Sequence, residues 1–203
     1  MVTRGRPRGN GGQLATYLLT QGENENVQVF EIRGTANQND LRKSLLEMSL
    51  TSELTKSDKG LYHAQINPAF GEDQIMTLEN WTRAADILET ELGLEGQKRV
   101  MVLHEKKGRV HAHVVWERYN HETEKMISDS YSRLAQDRAR KIMEEEFQQQ
   151  KTPARNKKQP EMKKDLTALW QQFPDVVRFI EASYARGYVL ASGTQRPYIV
   201  VDE

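Results

Sequence analysis

The segment Val102-Leu-His104-Glu-Lys-Lys-Gly-Arg-Val-His111-Ala-His113-Val-Val-Trp116 decides how the chain folds. Side chains alternate along a strand, so His111 and His113 share one face with Val115 and Glu117. Val110, Ala112, Val114 and Trp116 form the opposite row, which is apolar and suits a core. A two-residue turn at Lys107-Gly108 makes the segment a hairpin and sets His104 directly across from His111, with His113 on the diagonal. Opposed Cβ atoms lie ~5 Å apart and diagonal ones ~7–8 Å. Three imidazoles so placed can converge on one ion bound ~2.0–2.1 Å from each nitrogen. The competing reading is a polar row on a solvent-facing hairpin, satisfied by its neighbours. Three of the chain's five histidines on one strand face favour the metal.

Three neutral nitrogen ligands leave coordination positions open, which is the pattern of a catalytic centre. Lys106, Lys107, Arg109 and Arg118 crowd the same hairpin and would attract a phosphate bridging to the ion. The combination points to phosphodiester chemistry.

Working outward, Val27–Arg33 alternates β-branched and aromatic residues and reads as a strand. Asp40 can cap a helix with Leu41, Leu45 and Met48 on one face. Leu61–Asn67 reads as a strand stopped by Pro68. Thr77 caps a second helix with Trp81, Ala85, Leu88 and Leu92 inward, and Gly93 sits at its C-terminal end. A further helix begins near Ser128–Ser130, with Leu134, Ala135, Ala139, Ile142, Met143 and Phe147 on one face. Helices and strands mixed without strict βαβ alternation predict an α+β fold, a central antiparallel sheet with helices packed on it. Residues 1–147 form this domain. Residues 148–164, with glutamines, prolines and six basic residues, read as a basic linker. Residues 165–203 read as a small helix-hairpin module: a helix from Asp165, another from Pro174 to Gly187, then a hairpin of Tyr188–Ala191 and Pro197–Val201 around Ser192-Gly193. Its abrupt end after an apolar strand suggests a truncated module.

The whole chain balances 29 Lys and Arg against 29 Asp and Glu, but the charge is unevenly placed. Met1–Gly12 holds Arg4, Arg6 and Arg8 with no acid, and Lys151–Lys164 holds six basic residues against Glu161. Such segments can bind a polyanion locally without coating DNA indiscriminately. No apolar run approaches the ~20 residues of a membrane span, and the N-terminal residues lack the apolar stretch of a secretory signal. With no cysteine there is neither a disulfide framework nor a thiolate metal site, and a cytoplasmic location is the default.

A strand-borne histidine, a short loop, then His-hydrophobe-His on the next strand resembles the third motif of conjugative and mobilization relaxases, members of the histidine-hydrophobe-histidine (HUH) endonucleases. Leu61-Tyr-His-Ala-Gln-Ile-Asn-Pro68, the Glu-rich helix after it and the Val100–Trp116 hairpin extend the likeness over about Gln13–Phe147. The resemblance implies a divalent metal (Mn, Mg or Zn) on His104, His111 and His113, and a tyrosine near the N-terminus that attacks a DNA phosphate. Gly11-Gly-Gln-Leu-Ala-Thr-Tyr17 supplies that tyrosine, with Tyr62, Tyr119 and Tyr131 as competitors. Relaxases often carry an aspartate two places after the first histidine and an asparagine four places after the last. Lys106 and Glu117 stand there in this chain.

The implied activity is nicking and strand transfer on single-stranded DNA at a transfer origin, as in plasmid mobilization. Accessory DNA-binding proteins and a secretion coupling protein are the partners it brings with it, and no membrane insertion is expected. Glu105, Glu117 or Glu31 would orient a ligand histidine through its other nitrogen. Arg4, Arg6 and Arg8, spaced by Gly and Pro, would form a flexible arm on the DNA backbone beside the hairpin cations. The alternative function is a noncatalytic single-strand DNA-binding or regulatory protein on the same scaffold.

Overall fold

The computed structural model describes residues 1–152, 159–192 and 199–202. It divides into two compact units, Met1–Thr152 and Pro153–Glu203. The first is an α+β domain. Its antiparallel sheet has five strands: β1 (Val2–Arg8), β2 (Asn26–Arg33), β3 (Leu61–Asn67), β4 (Arg99–Lys106) and β5 (Arg109–Glu117), in the spatial order β1-β3-β5-β4-β2. Four helices cover it: α1 (Gly11–Leu19), α2 (Leu41–Leu50), α3 (Leu78–Leu92) and α4 (Ser132–Glu146).

Both faces of the sheet are buried, each with its own core. On one face Leu14, Ala15 and Leu18 of α1 and Leu41, Leu45 and Met48 of α2 pack on Leu61, Val100, Val102 and Val115. On the other, Trp81, Ala84, Ala85 and Leu88 of α3 and Ala139 and Met143 of α4 pack on Tyr62, Ala64, Ala112, Val114 and Trp116. The helix signals act as expected. Asp40 and Thr77 accept from the backbone N–H groups of Lys43 and Asn80, and Gly93 takes the left-handed conformation after α3. In α4 the buried face is rotated from the apolar pattern of the sequence. Ala135, Gln136, Ala139, Met143 and Glu144 are buried, whereas Leu134 and Ile142 stay exposed, because Gln136 donates to the Tyr62 hydroxyl and Glu144 accepts from the Met1 ammonium group.

The β4–β5 hairpin has the predicted register, with His104 opposite His111. Its turn holds Lys107 at φ 53° and Gly108 at φ 65°, the left-handed pair that matches strand twist.

The expected flexible arm is instead an edge strand. Met1–Asn10 contributes β1, which pairs with β3 from Val2↔Asn67 to Arg8↔Leu61. Gly5 is required there, since a Cβ would stand 2.8 Å from the Tyr62 ring. Because β1 and β2 occupy opposite edges, α1 must cross one face of the sheet to connect them. A short ladder of β6 (Tyr119–Asn120) and β7 (Lys125–Met126) follows β5.

The second unit contains α5 (Gln159–Gln172), α6 (Val176–Tyr184), and the antiparallel pair β8 (Tyr188–Ala191) and β9 (Ile199–Asp202). Here α5 begins within the stretch read as linker, and Trp170 meets Phe179 edge-on at 5.2 Å. Residues 153–158 of that linker, and Gly193 and Pro197 of the expected hairpin, lie outside the described residues.

Candidate metal centre and active site

The face beneath α1 gathers residues from four strands. His104 on β4, His111 and His113 on β5, His63 and Gln65 on β3, and Arg4, Arg6 and Arg8 on β1 share it, as the register requires. Candidate ligand nitrogens of His104, His111 and His113 all lie within 4.8 Å of one another. Ring centroids are 4.4 Å apart for His104–His113 and 5.0 Å for His111–His113.

Each buried ring has a partner that fixes it. The Nε2 of His104 lies 2.7 Å from the main-chain carbonyl of Leu18, one of the acceptors that the last turn of α1 leaves free. The carbonyl can only accept, so His104 Nε2 carries the proton and Nδ1 keeps its lone pair. The Nδ1 of His113 lies 2.9 Å from Nε2 of His63, and the two rings stack with centroids 5.2 Å apart. That leaves His113 Nε2 buried without a hydrogen-bond partner among the described residues. An orphaned buried nitrogen beside two more imidazoles is what a divalent cation would satisfy. The donor set therefore fits a divalent metal.

The electrostatics keep the rings neutral. Burial first, then the neighbouring His63 and His104, pushes His113 down to about 2. Burial, His104 and Arg109 push His111 to about 4, and burial with the Arg8 and Arg6 charges does the same to His63. Burial also lowers His104, against the Leu18 carbonyl. Neutral imidazoles are the form that binds a metal.

Tyr17 projects from α1 over this cluster. Its ring meets His113 at 5.6 Å and His63 at 6.1 Å, both edge-on, and its hydroxyl accepts from Gln65 Nε2 at 3.4 Å. It is 48% exposed and stands between two clefts. One, of about 300 Å³, is lined by Arg4, Arg6, Arg8, His63 and Gln65. The other, of about 460 Å³, reaches His104, His111 and Lys106. The competing tyrosines are elsewhere. Tyr62 is buried in the opposite core and accepts from Gln136, Tyr119 is buried beyond β5, and Tyr131 opens α4.

A family model, the MobA/VirD2-like nuclease domain of relaxases, matches residues 17–151, well over half of the chain. The chain belongs to the relaxase family. Membership supports a general role in DNA nicking, and the matched span contains Tyr17, His63 and the three hairpin histidines. A search among curated proteins finds no match.

Other expected site residues of this relaxase domain are engaged away from the triad. Glu31 pairs with Arg99 on the opposite face, where Arg99 also binds Asp86 and Glu89. Glu117 is buried four residues past His113, beside Lys98 and His121. Glu105 alternates away from His104, to the opposite face. The groups that hold the His113 and His104 rings are His63 and the Leu18 carbonyl. Strand alternation puts His63 on the Leu61 face of β3, but nothing local in the sequence pairs it with His113, or the Leu18 carbonyl with His104.

Among the cations, Arg118 is buried and donates to the carbonyls of Lys59 and Ile127 and to Asp129, so it clamps a loop and is not available to DNA. Lys106 pairs with Glu23, and Lys107 is exposed at the turn. Arg109 donates to the Pro68 carbonyl at 2.9 Å. No helix among the described residues is long and apolar enough to cross a membrane.

Proposed function

We propose that this relaxase domain nicks single-stranded DNA at a transfer origin and conserves the broken bond as a Tyr17–DNA phosphodiester, as plasmid mobilization requires. The observation that carries this reading is the Tyr17 ring, held 5.6 Å from His113 at the mouth of a cleft lined by three arginines. A divalent cation held by His104, His111 and His113 would supply Lewis acidity to a phosphate oxygen.

The chain's own groups account for the remainder. With Nε2 of His113 offered to the cation, its Nδ1 carries the proton and donates to His63 Nε2, 2.9 Å away, which holds that tautomer. Gln65 steadies the Tyr17 oxygen. That oxygen attacks phosphorus, an Oη–P bond forms, and the bond from phosphorus to the 3′ oxygen breaks. The phenol's proton is balanced by the one gained at the 3′ hydroxyl. One phosphodiester replaces another, so the reverse reaction rejoins the strand. Arg4, Arg6 and Arg8 hold the backbone on either side of the attacked phosphate.

The test is incubation with single-stranded oligonucleotides and Mn, followed by denaturing electrophoresis and peptide mapping. The expected product is a DNA-linked protein with the nucleotide on the Tyr17 peptide. Tyr17→Phe should keep DNA and metal binding and lose the adduct, whereas His113→Ala should lose metal and adduct together. Binding without any adduct in the wild type would assign the chain to the noncatalytic class.

A further inference from the structure

Phe70 is 86% exposed, the most exposed large apolar side chain among the described residues. Core packing gives no reason for it. The loop that carries it is nevertheless tied down. Buried Asp73 accepts from the Val110 N–H at 2.8 Å, and Glu72 accepts from the Gln150 N–H at 2.6 Å. The Arg109 guanidinium donates to the Pro68 carbonyl and lies 5.8 Å from the Phe70 ring centroid. Arg109 is two residues before His111, so it projects from the same face of β5 as the triad. An aromatic ring held open to solvent, backed by a fixed cation at the margin of a phosphate-handling centre, is the arrangement that stacks nucleobases.

We infer that Phe70 and Arg109 form a platform on which one base of the single strand stacks beside the metal-binding histidines. The inference rests on the single-strand DNA reading above and adds recognition of a base to it. Stacking of this kind is tolerant of sequence, because every base has a π-face. The arginines of β1 would hold phosphates, while the platform would hold a base. Removing the ring should therefore matter only when the strand carries bases.

The experiment measures fluorescence anisotropy of the full chain with labelled oligothymidylate and with an abasic tetrahydrofuran strand of equal length. Phe70→Ala should weaken oligothymidylate binding about 5- to 150-fold, the weight of one stacked base, and leave the abasic strand unchanged. Phe70→Trp should restore binding, because the larger ring stacks at least as well. An equal loss on both strands, or no loss on either, would overturn the platform while leaving the single-strand reading in place. A wild-type chain that binds neither strand would remove that reading and the platform with it.

Discussion

His113 is only 1% exposed, and its two ring nitrogens have different tasks. Nδ1 is committed to His63, and Nε2 points where a cation would sit. Removing His63 should leave the ligands in place but let the His113 ring rotate and lose basicity. His63→Ala should weaken calorimetric Mn or Zn affinity about 10- to 100-fold. His63→Gln, whose side-chain carbonyl can accept the same proton, should recover part of it. Unchanged affinity in both variants would reduce His63 to packing. His111→Ala and His113→Ala should each weaken metal affinity by at least about tenfold, and retained affinity in both would remove the centre itself. At this scale the triad was legible, because alternation and a two-residue turn place His104, His111 and His113 together. Their partners were not. His63 lies 50 residues from His113, and the Leu18 carbonyl lies 86 residues from His104. The acidic residues close in sequence, Glu105 and Glu117, point or lie elsewhere.

At the scale of elements, β1 changes what the N-terminal arginines can do. A flexible arm must lose conformational entropy when it grips DNA, whereas an edge strand presents its side chains already ordered. Arg4, Arg6 and Arg8 alternate with Thr3, Gly5 and Pro7, so all three face the Tyr17 cleft. Replacing the three by glutamine should lower single-strand affinity and flatten the slope of log affinity against log salt by about 0.7 for each phosphate no longer neutralised. An unaltered slope, measured by anisotropy over a salt series, would exclude the row from the DNA path. The strand was hidden in the sequence because its inward residues, Thr3, Gly5 and Pro7, lack the apolar signature of a strand. Tyr62 fills the space beneath Gly5 instead.

For the whole molecule, burying neutral histidines links the site to folding. His63 and His113 sit at about 4 and about 2 when folded, against 6.5 for a free imidazole. The unfolded chain therefore binds more protons below about pH 6.5, and stability is lost as pH falls from there toward the folded values. Each ring contributes up to about 1.4 kcal/mol per pH unit. Urea denaturation of the metal-free chain should show this loss between about pH 6.5 and 5, above the range where Glu144, held down to about 2, begins to contribute. A flat profile there would mean the rings are protonated or solvated in the folded state. The opposite face has a different vulnerability. Arg99 is buried among Glu31, Asp86 and Glu89, and Trp116 also donates to Glu89. Arg99→Ala removes the buried cation shared by Glu31, Asp86 and Glu89, leaves buried Glu89 with only Arg33 and Trp116, and should cost about 3 kcal/mol, read by the same denaturation. A loss under about 1 kcal/mol would mark the network as solvent-screened.

The sequence by itself determined the hairpin, the register that opposes His104 and His111, the capped ends of α2 and α3, and the α+β class. All of these follow from local periodicity and turn chemistry, which act over a few residues. Tertiary structure decided that α1 crosses the sheet, because β1 and β2 lie on opposite edges. That crossing brings Tyr17 to His113 and the Leu18 carbonyl to His104, and pairing of β1 with β3 sets the arginines beside them. Contacts between residues this far apart in sequence depend on strand order, which no local pattern encodes.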